Sequence, residues 1–458
     1  MVHLRAIRPA TLRAVCLLLL PVALGCDSAV RERPSSTPYL QAAVQVGEWL
    51  RTQSTGGLGG VVPDRIPDGT LLPDLGSGAA GRALFFAELF AATGEGDHRA
   101  SAHAAARAAL TGATEAMALG LYNGLAGIAA VVHEVARITE DGALREASRA
   151  VFHRLAEVYS DRGASAVDAH DVLTGRAGVG LALLRAFDVF GDTVFLQVAE
   201  RVGDDLLAVA QTTGDGGLRW LRSTSMPLDL PNFSHGTAGV GTFLTGLVET
   251  TGALRFRIAA LAAAAYLHGI ADRRDSLFLV PYGVPNDGYV TAYDIGWAHG
   301  PPGTARFHYA LWLLIGDEET ERWVDAGART VLASGVPSVT TDSIRWTGPF
   351  RIDRRFGTAG AAAFLLDWGL VSEDSTYVQE AQQIVDDILR RAARTESGMY
   401  WRLPLDAFQG AERDAVFTGY FYGAAGLGLT LLHLHYAMHG AYPQVRLPDD
   451  PFPRGAGR

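Results

Sequence analysis

The residues able to do chemistry fall in seven short stretches, each running into a glycine. In chain order they are Asp74 and Ser77; Tyr122 and Asn123; Asp171 and Thr174; Ser234 and His235; Asp294, Trp297 and His299; Arg355 and Phe356; and Tyr420 with Tyr422. An imidazole such as His235 or His299 can titrate near neutral pH or bind a metal, or can simply hydrogen-bond a neighbouring loop. Asp171 can carry a proton, or can cap the helix that follows it. Arg355 is a fixed monocation that can receive a carboxylate or phosphate, or be spent on a salt bridge to Asp353 or Asp294. Trp297, Phe356, Phe421 and Tyr422 can form a stacking surface for a ligand, although aromatics at such spacing also serve as core. His299, His308, Trp312 and Asp294 match no recognised zinc spacing.

What positions these residues is a repeat. Asn232-Phe233-Ser234-His235-Gly236-Thr237-Ala238-Gly239 is its fullest copy, and the core Gly-x-Ala-Gly recurs with first glycines at 78, 124, 175, 236, 300, 357 and 423. Pro302 replaces alanine in the fifth copy. The spacings of 46, 51, 61, 64, 57 and 66 residues suit a two-helix unit with loops of varying length. Small residues let backbones approach closely, and glycine also tolerates unusual dihedrals before a helix. The runs that follow, such as Val179 to Phe187 and Leu427 to Leu434, are apolar nearly all round and belong to inner helices. Segments between cores, such as Ala100 to Leu110 and Tyr377 to Arg391, are one-sided and fit outer helices. Seven inner and seven outer helices predict an all-α fold, an α/α toroid closed on itself. Its inner helix N-termini converge on one mouth, which favours anionic ligands.

The cores and their order resemble the lanthionine synthetase C-like family over roughly residues 40 to 440. The resemblance implies a seven-repeat α/α barrel and, in the cyclases, a zinc ion held by a cysteine of the fifth repeat and a Cys-His pair of the sixth. Aligned core to core, those positions are Ala298, Arg355 and Phe356. An alanine has no donor, a phenyl ring is a poor one, and a guanidinium repels a dication. The expectation is therefore no zinc and no other cofactor. His235 matches the family's fourth-repeat histidine, an acid or base, and Asp171 its third-repeat aspartate. Asp294 stands where the cyclases often carry arginine.

Residues 1–25 combine Arg5, Arg8 and Arg13 with an apolar run from Ala14 to Leu24, as a secretory signal does. Ala23-Leu24-Gly25-Cys26 resembles a bacterial lipobox, which predicts lipidation at Cys26 and an exported, membrane-anchored lipoprotein. Residues 26–38 read as a flexible tether, 39–440 as the toroid, and the proline-rich 441–458 as an irregular tail. The two cysteines are Cys16 and Cys26, so the folded domain has neither disulfide nor thiol. The net charge of −10, with arginine as the sole basic residue besides histidine, argues against nucleic acid.

Three functions are compatible with this reading. One is a pseudo-cyclase, binding or scaffolding a peptide or protein at the mouth. The second is a metal-independent peptide-modifying enzyme with His235 as general base and Arg355 steadying negative charge. The third is a carbohydrate-active toroid using Asp171 and Asp294 as paired carboxylates.

Overall fold

Each Gly-x-Ala-Gly core opens an α-helix whose N-cap is the core's first glycine. The computed structural model describes residues 35–53, 65–66, 71–274, 277–285, 293–338, 346–347, 351–403 and 416–455. The predicted signal, Cys26 and most of the predicted tether lie outside the described residues. Those described contain fourteen α-helices: α1 (Pro38–Thr52), α2 (Ala79–Thr93), α3 (Gly96–Gly112), α4 (Leu125–Thr139), α5 (Gly142–Arg162), α6 (Arg176–Phe190), α7 (Thr193–Val209), α8 (Thr237–Thr251), α9 (Leu254–Ile270), α10 (Pro301–Ile315), α11 (Glu318–Ala333), α12 (Thr358–Ser372), α13 (Ser375–Arg390) and α14 (Ala424–Ala437). Regular β-structure among the described residues amounts to four two-stranded pairs.

The even-numbered helices form the inner ring, packing in the order α2, α4, α6, α8, α10, α12, α14 and back to α2. Every residue of α14 is buried, as a helix apolar nearly all round requires. The odd-numbered helices α3 to α13 each pack on the inner helix before them, and the seventh outer helix is α1, which packs on α14. The chain's first helix thus completes the last repeat and closes the toroid. Outer α13 buries Tyr377, Ala381, Ile384, Val385 and Ile388, a single stripe at helical spacing. Asp141, Asp192, Asp317 and Asp374 cap α5, α7, α11 and α13 through their side chains.

Crowding, not backbone angle, makes the cores glycine. Gly236 has φ −147° and ψ −151°, extended backbone that any residue adopts. A Cβ there would lie 1.7 Å from the Leu230 carbonyl oxygen, and one on Gly239 would lie 2.2 Å from that of Phe233. The expectation of unusual dihedrals is corrected to one of close approach.

The pre-helix loops are stitched into a closed belt of backbone hydrogen bonds. Gly76 N–H donates to Tyr122 O (2.8 Å), Tyr122 to Leu173 (2.9 Å), Leu173 to Ser234 (3.2 Å), Ser234 to Ala298 (3.0 Å) and Ala298 to Arg355 (2.8 Å). Arg354 donates to Phe421 (2.9 Å) and Phe421 to Gly76 (2.8 Å), completing the circle. This belt fixes the mouth, because residues two positions before each core glycine are held side by side.

The other end of the barrel is filled by the chain itself. Residues 441–455 have no helix or strand, yet Val445, Leu447, Asp449 and Phe452 are buried. Glu88 of α2 accepts from the backbone N–H of Gln444 (2.9 Å) and Val445 (2.7 Å), and Glu134 of α4 from that of Arg446 (3.0 Å). Arg306 of α10 binds Asp450 (2.8 Å), and Asp367 of α12 binds Arg454 (2.7 Å). Polar residues of the inner helices hold the tail in the lumen as a plug. Ser35 and Thr37 bond His439 and His435 near the C-terminal end of α14, so the described chain begins at the end away from the mouth.

Candidate functional site

Asp171, in the loop ahead of α6, is fully buried. Its Oδ1 accepts from the backbone N–H (2.7 Å) and hydroxyl (3.2 Å) of Thr174, which caps the turn. Its Oδ2 lies 2.7 Å from Nδ1 of His235. A carboxylate can only accept here, which places the proton on Nδ1 and leaves Nε2 as the lone pair. Facing that lone pair at 3.2 Å is Nη2 of Arg355, which donates to it. Nη1 of Arg355 donates to the Tyr422 hydroxyl (2.9 Å). The result is one continuous chain, Asp171 to His235 to Arg355 to Tyr422, drawn from the third, fourth, sixth and seventh repeats.

Asp353 holds the arginine's backbone and leaves its charge alone. Its Oδ1 accepts from the N–H of Arg355 (3.0 Å) and Phe356 (2.8 Å), and its Oδ2 from Nε of Arg351 (2.8 Å). Neither salt bridge foreseen for Arg355 forms: among the described residues its guanidinium makes no ion pair and lies over Phe356 (4.7 Å) and Phe421 (5.5 Å). His299, 2% exposed, stacks between Tyr282 (3.9 Å) and Phe356 (5.9 Å), with His235 5.7 Å away. Burial, aided by His235, Arg355 and Arg222, pushes its pKa well below the usual histidine value, so it is neutral. Burial and the Asp294 carboxylate push Tyr282 up to about 12.

Two residues singled out from the sequence stand apart. Trp297 packs on Tyr122 (5.1 Å), Phe233 (5.4 Å) and Phe421 (5.4 Å) and lines a small cavity of about 30 Å³ with Arg306, Arg354 and Asp449. It belongs to the aromatic layer between the mouth and the tail. Asp294 is buried and its Oδ1 accepts from the N–H of Gly296 (2.6 Å), bracing its own turn. Both carboxylates of the carbohydrate reading are therefore enclosed. His308 points away from the mouth, to His268 (3.0 Å). Arg222 and Tyr282 escaped the sequence reading because they lie outside the pre-core stretches. The signal was the long spacing on either side of the fourth core, 61 and 64 residues, which leaves chain enough to reach back to the mouth.

The description "lanthionine synthetase C-like protein" matches residues 70–342, more than half of the 458-residue chain. The chain belongs to the lanthionine synthetase C-like family. Among solved structures it is similar to nisin cyclase, at 15% identity and TM-score 0.60, over 86% of this chain and 93% of that one. It is also similar to the Lin0763 protein from Listeria innocua, at 12% identity and TM-score 0.50, over 88% and 97%. These likenesses are of fold. No match is found among curated proteins.

The family match stops at residue 342, before the sixth core at Gly357. Ala298 donates its backbone N–H to Arg355 O, so the fifth- and sixth-repeat positions that the resemblance assigns to zinc are direct neighbours. Their side chains, a methyl, a guanidinium and a phenyl, do not fit the ion. Among the described residues no three His, Cys, Asp or Glu side chains converge as a metal site.

Proposed function

We propose that this lanthionine synthetase C-like protein binds or scaffolds a peptide at the toroid mouth and does so without zinc. Arg355 carries the reading. Its guanidinium lies among His235, Phe356 and Tyr422, so a fixed cation stands where relatives would gather a dication. Membership of a peptide-modification family and the cyclase-like fold support a peptide as the ligand.

The protein is further proposed to be an exported lipoprotein held through Cys26. No helix among the described residues is long and apolar enough to cross a membrane, and such an anchor would need none. Ser35, the first described residue, lies at the end away from the mouth.

A second reading, metal-independent catalysis by His235, is favoured by the Asp171 contact, which orients the ring as a general base requires. It also requires Arg355 to withdraw from Nε2.

The test is elemental analysis of protein lacking its first 26 residues, with a screen for peptide binding. The expected result is no stoichiometric zinc and retained peptide binding. One zinc per chain would sink the first reading. Product formation with a peptide substrate, abolished by His235→Ala, would establish the second.

A further inference from the structure

Among the described residues, two arginines at the mouth have no carboxylate to answer them. Arg355 spends one N–H of Nη1 and one of Nη2 on neutral groups, and its Nε is buried with no partner among the described residues. Arg222 donates from Nη1 to Sδ of Met226 (2.9 Å) and makes no ion pair among the described residues. The nearby acids are committed elsewhere: Asp171 lies behind His235, Asp294 braces its own turn, and Asp353 holds Arg351. Arg222 is set beside the site by its backbone carbonyl, which accepts from the N–H of His170 (2.9 Å), the residue before Asp171, and its charge and that of Arg355 both pull against the burial of Tyr282 and disfavour a charged His299. His299 adds a buried Nδ1 without a partner. In a chain of net charge −10, this is a local excess of positive charge that no carboxylate among the described residues neutralises. A half-buried cation is costly unless it is paired, and each Nη of Arg355 carries a second N–H beyond the one given to Tyr422 or His235.

We propose that the mouth is a carboxylate-binding site, in which Arg355 and Arg222 hold a peptide carboxylate and the Tyr282, His299 and Phe356 stack receives the adjoining side chain. This rests on the peptide-binding reading and names its ligand chemistry. Arginine donors pair with carboxylate oxygens two at a time, a geometry that an amide cannot reproduce. The carboxylate can belong to a C-terminus or to an acidic side chain.

The experiment uses the mature domain and three pools of N-acetylated tetrapeptides. One pool has free C-termini and no acidic residue, one is amidated with no acidic residue, and one is amidated with a single Asp. The free-acid or the Asp pool is expected to bind, and the neutral amidated pool at least about tenfold more weakly. Which acidic pool binds identifies the source of the carboxylate. Arg355→Met and Arg222→Met should each lose at least about tenfold, with Arg355→Lys recovering part of it. Circular dichroism and unfolding midpoints establish that each variant is folded. Equal binding of the acidic and neutral pools, unchanged in folded Arg355→Met, overturns the carboxylate proposal and leaves the peptide reading standing. If no pool binds but acetate raises the wild-type melting midpoint and not that of Arg355→Met, the anion site stands and the peptide reading falls. If neither occurs, both fall.

Discussion

Nη2 of Arg355 donates to Nε2 of His235 at 3.2 Å, so the lone pair a general base would use is already held by a neighbouring cation. Asp171 on the other side of the ring fixes which nitrogen that is. The same residue type and position that look catalytic in isolation are, in this arrangement, part of a closed chain of donors and acceptors.

Releasing the arginine should expose the histidine. Arg355→Met removes the donor to Nε2 while keeping an unbranched apolar stem over Phe356. Carbethoxylation of His235 by diethyl pyrocarbonate, followed by peptide mapping, should then run severalfold faster than in wild type. Equal rates would mean that the lone pair is free in the native protein.

The three substituted positions should be able to hold zinc again. The belt of backbone bonds sets Ala298 directly beside Arg355, and Phe356 faces the mouth against His299. Ala298→Cys, Arg355→Cys and Phe356→His together restore the donor set that the family resemblance implies. The triple variant should take up about one zinc per chain by elemental analysis, with its melting midpoint rising on zinc addition. A triple variant that folds and takes up no zinc would show that these side chains do not share one hollow.

Much of this was legible in the sequence because the repeat is written in steric terms. A glycine with a carbonyl of its own preceding loop where its Cβ would sit cannot be replaced, so Gly236 and Gly239 mark the loop-to-helix junction of the fourth repeat as plainly as the helix itself. His235, Asp171, Arg355, Phe356, Tyr422 and His299 could be picked out because the closed ring brings every pre-core residue to one rim. Trp297 could not be placed, since a residue three before the core glycine turns inward to Tyr122 and Phe421 rather than to the rim. Arg222 was invisible because the insertions carrying it follow no period. The tail's composition spoke only of irregularity. That it fills the lumen follows from Glu88, Glu134 and Asp367, which sit on inner helices among apolar residues and needed partners that local sequence did not supply.

The tail should accordingly be indispensable to stability. Phe452 stacks on Tyr309 (4.2 Å) and packs near Phe364 (6.2 Å), and its truncation to alanine should cost about 3–5 kcal/mol in urea unfolding. Deleting residues 441–458 removes Arg454 and Asp450 from the buried network, leaving Asp367 and Arg306 to each other (3.2 Å), and takes from Glu88 and Glu134 the backbone N–H donors of Gln444, Val445 and Arg446. That chain should fail to fold cooperatively. A truncated protein with a wild-type urea midpoint would show that the tail is an accessory.

Asp449 makes the tail's hold depend on pH. It is buried, accepts from the Tyr122 hydroxyl at 2.9 Å, and has its pKa raised from 3.8 to about 6, chiefly by burial and then by Asp450, against the pull of Arg306. Between those values the folded chain binds the proton more tightly than the unfolded one. This group's contribution to stability is therefore present in full below the unfolded value and declines as pH rises through about 6. At neutral pH the folded protein carries a buried carboxylate, a penalty of up to about 3 kcal/mol. Asp449→Asn keeps an acceptor for Tyr122 and removes the charge. It should be more stable than wild type at pH 7, with the advantage shrinking as pH falls through 6 and gone near pH 4. Urea unfolding of the two proteins across that range measures the difference directly. An advantage that grows on acidification would mean that Asp449 is held as a carboxylate by Arg306 and that its charge stabilises the plug.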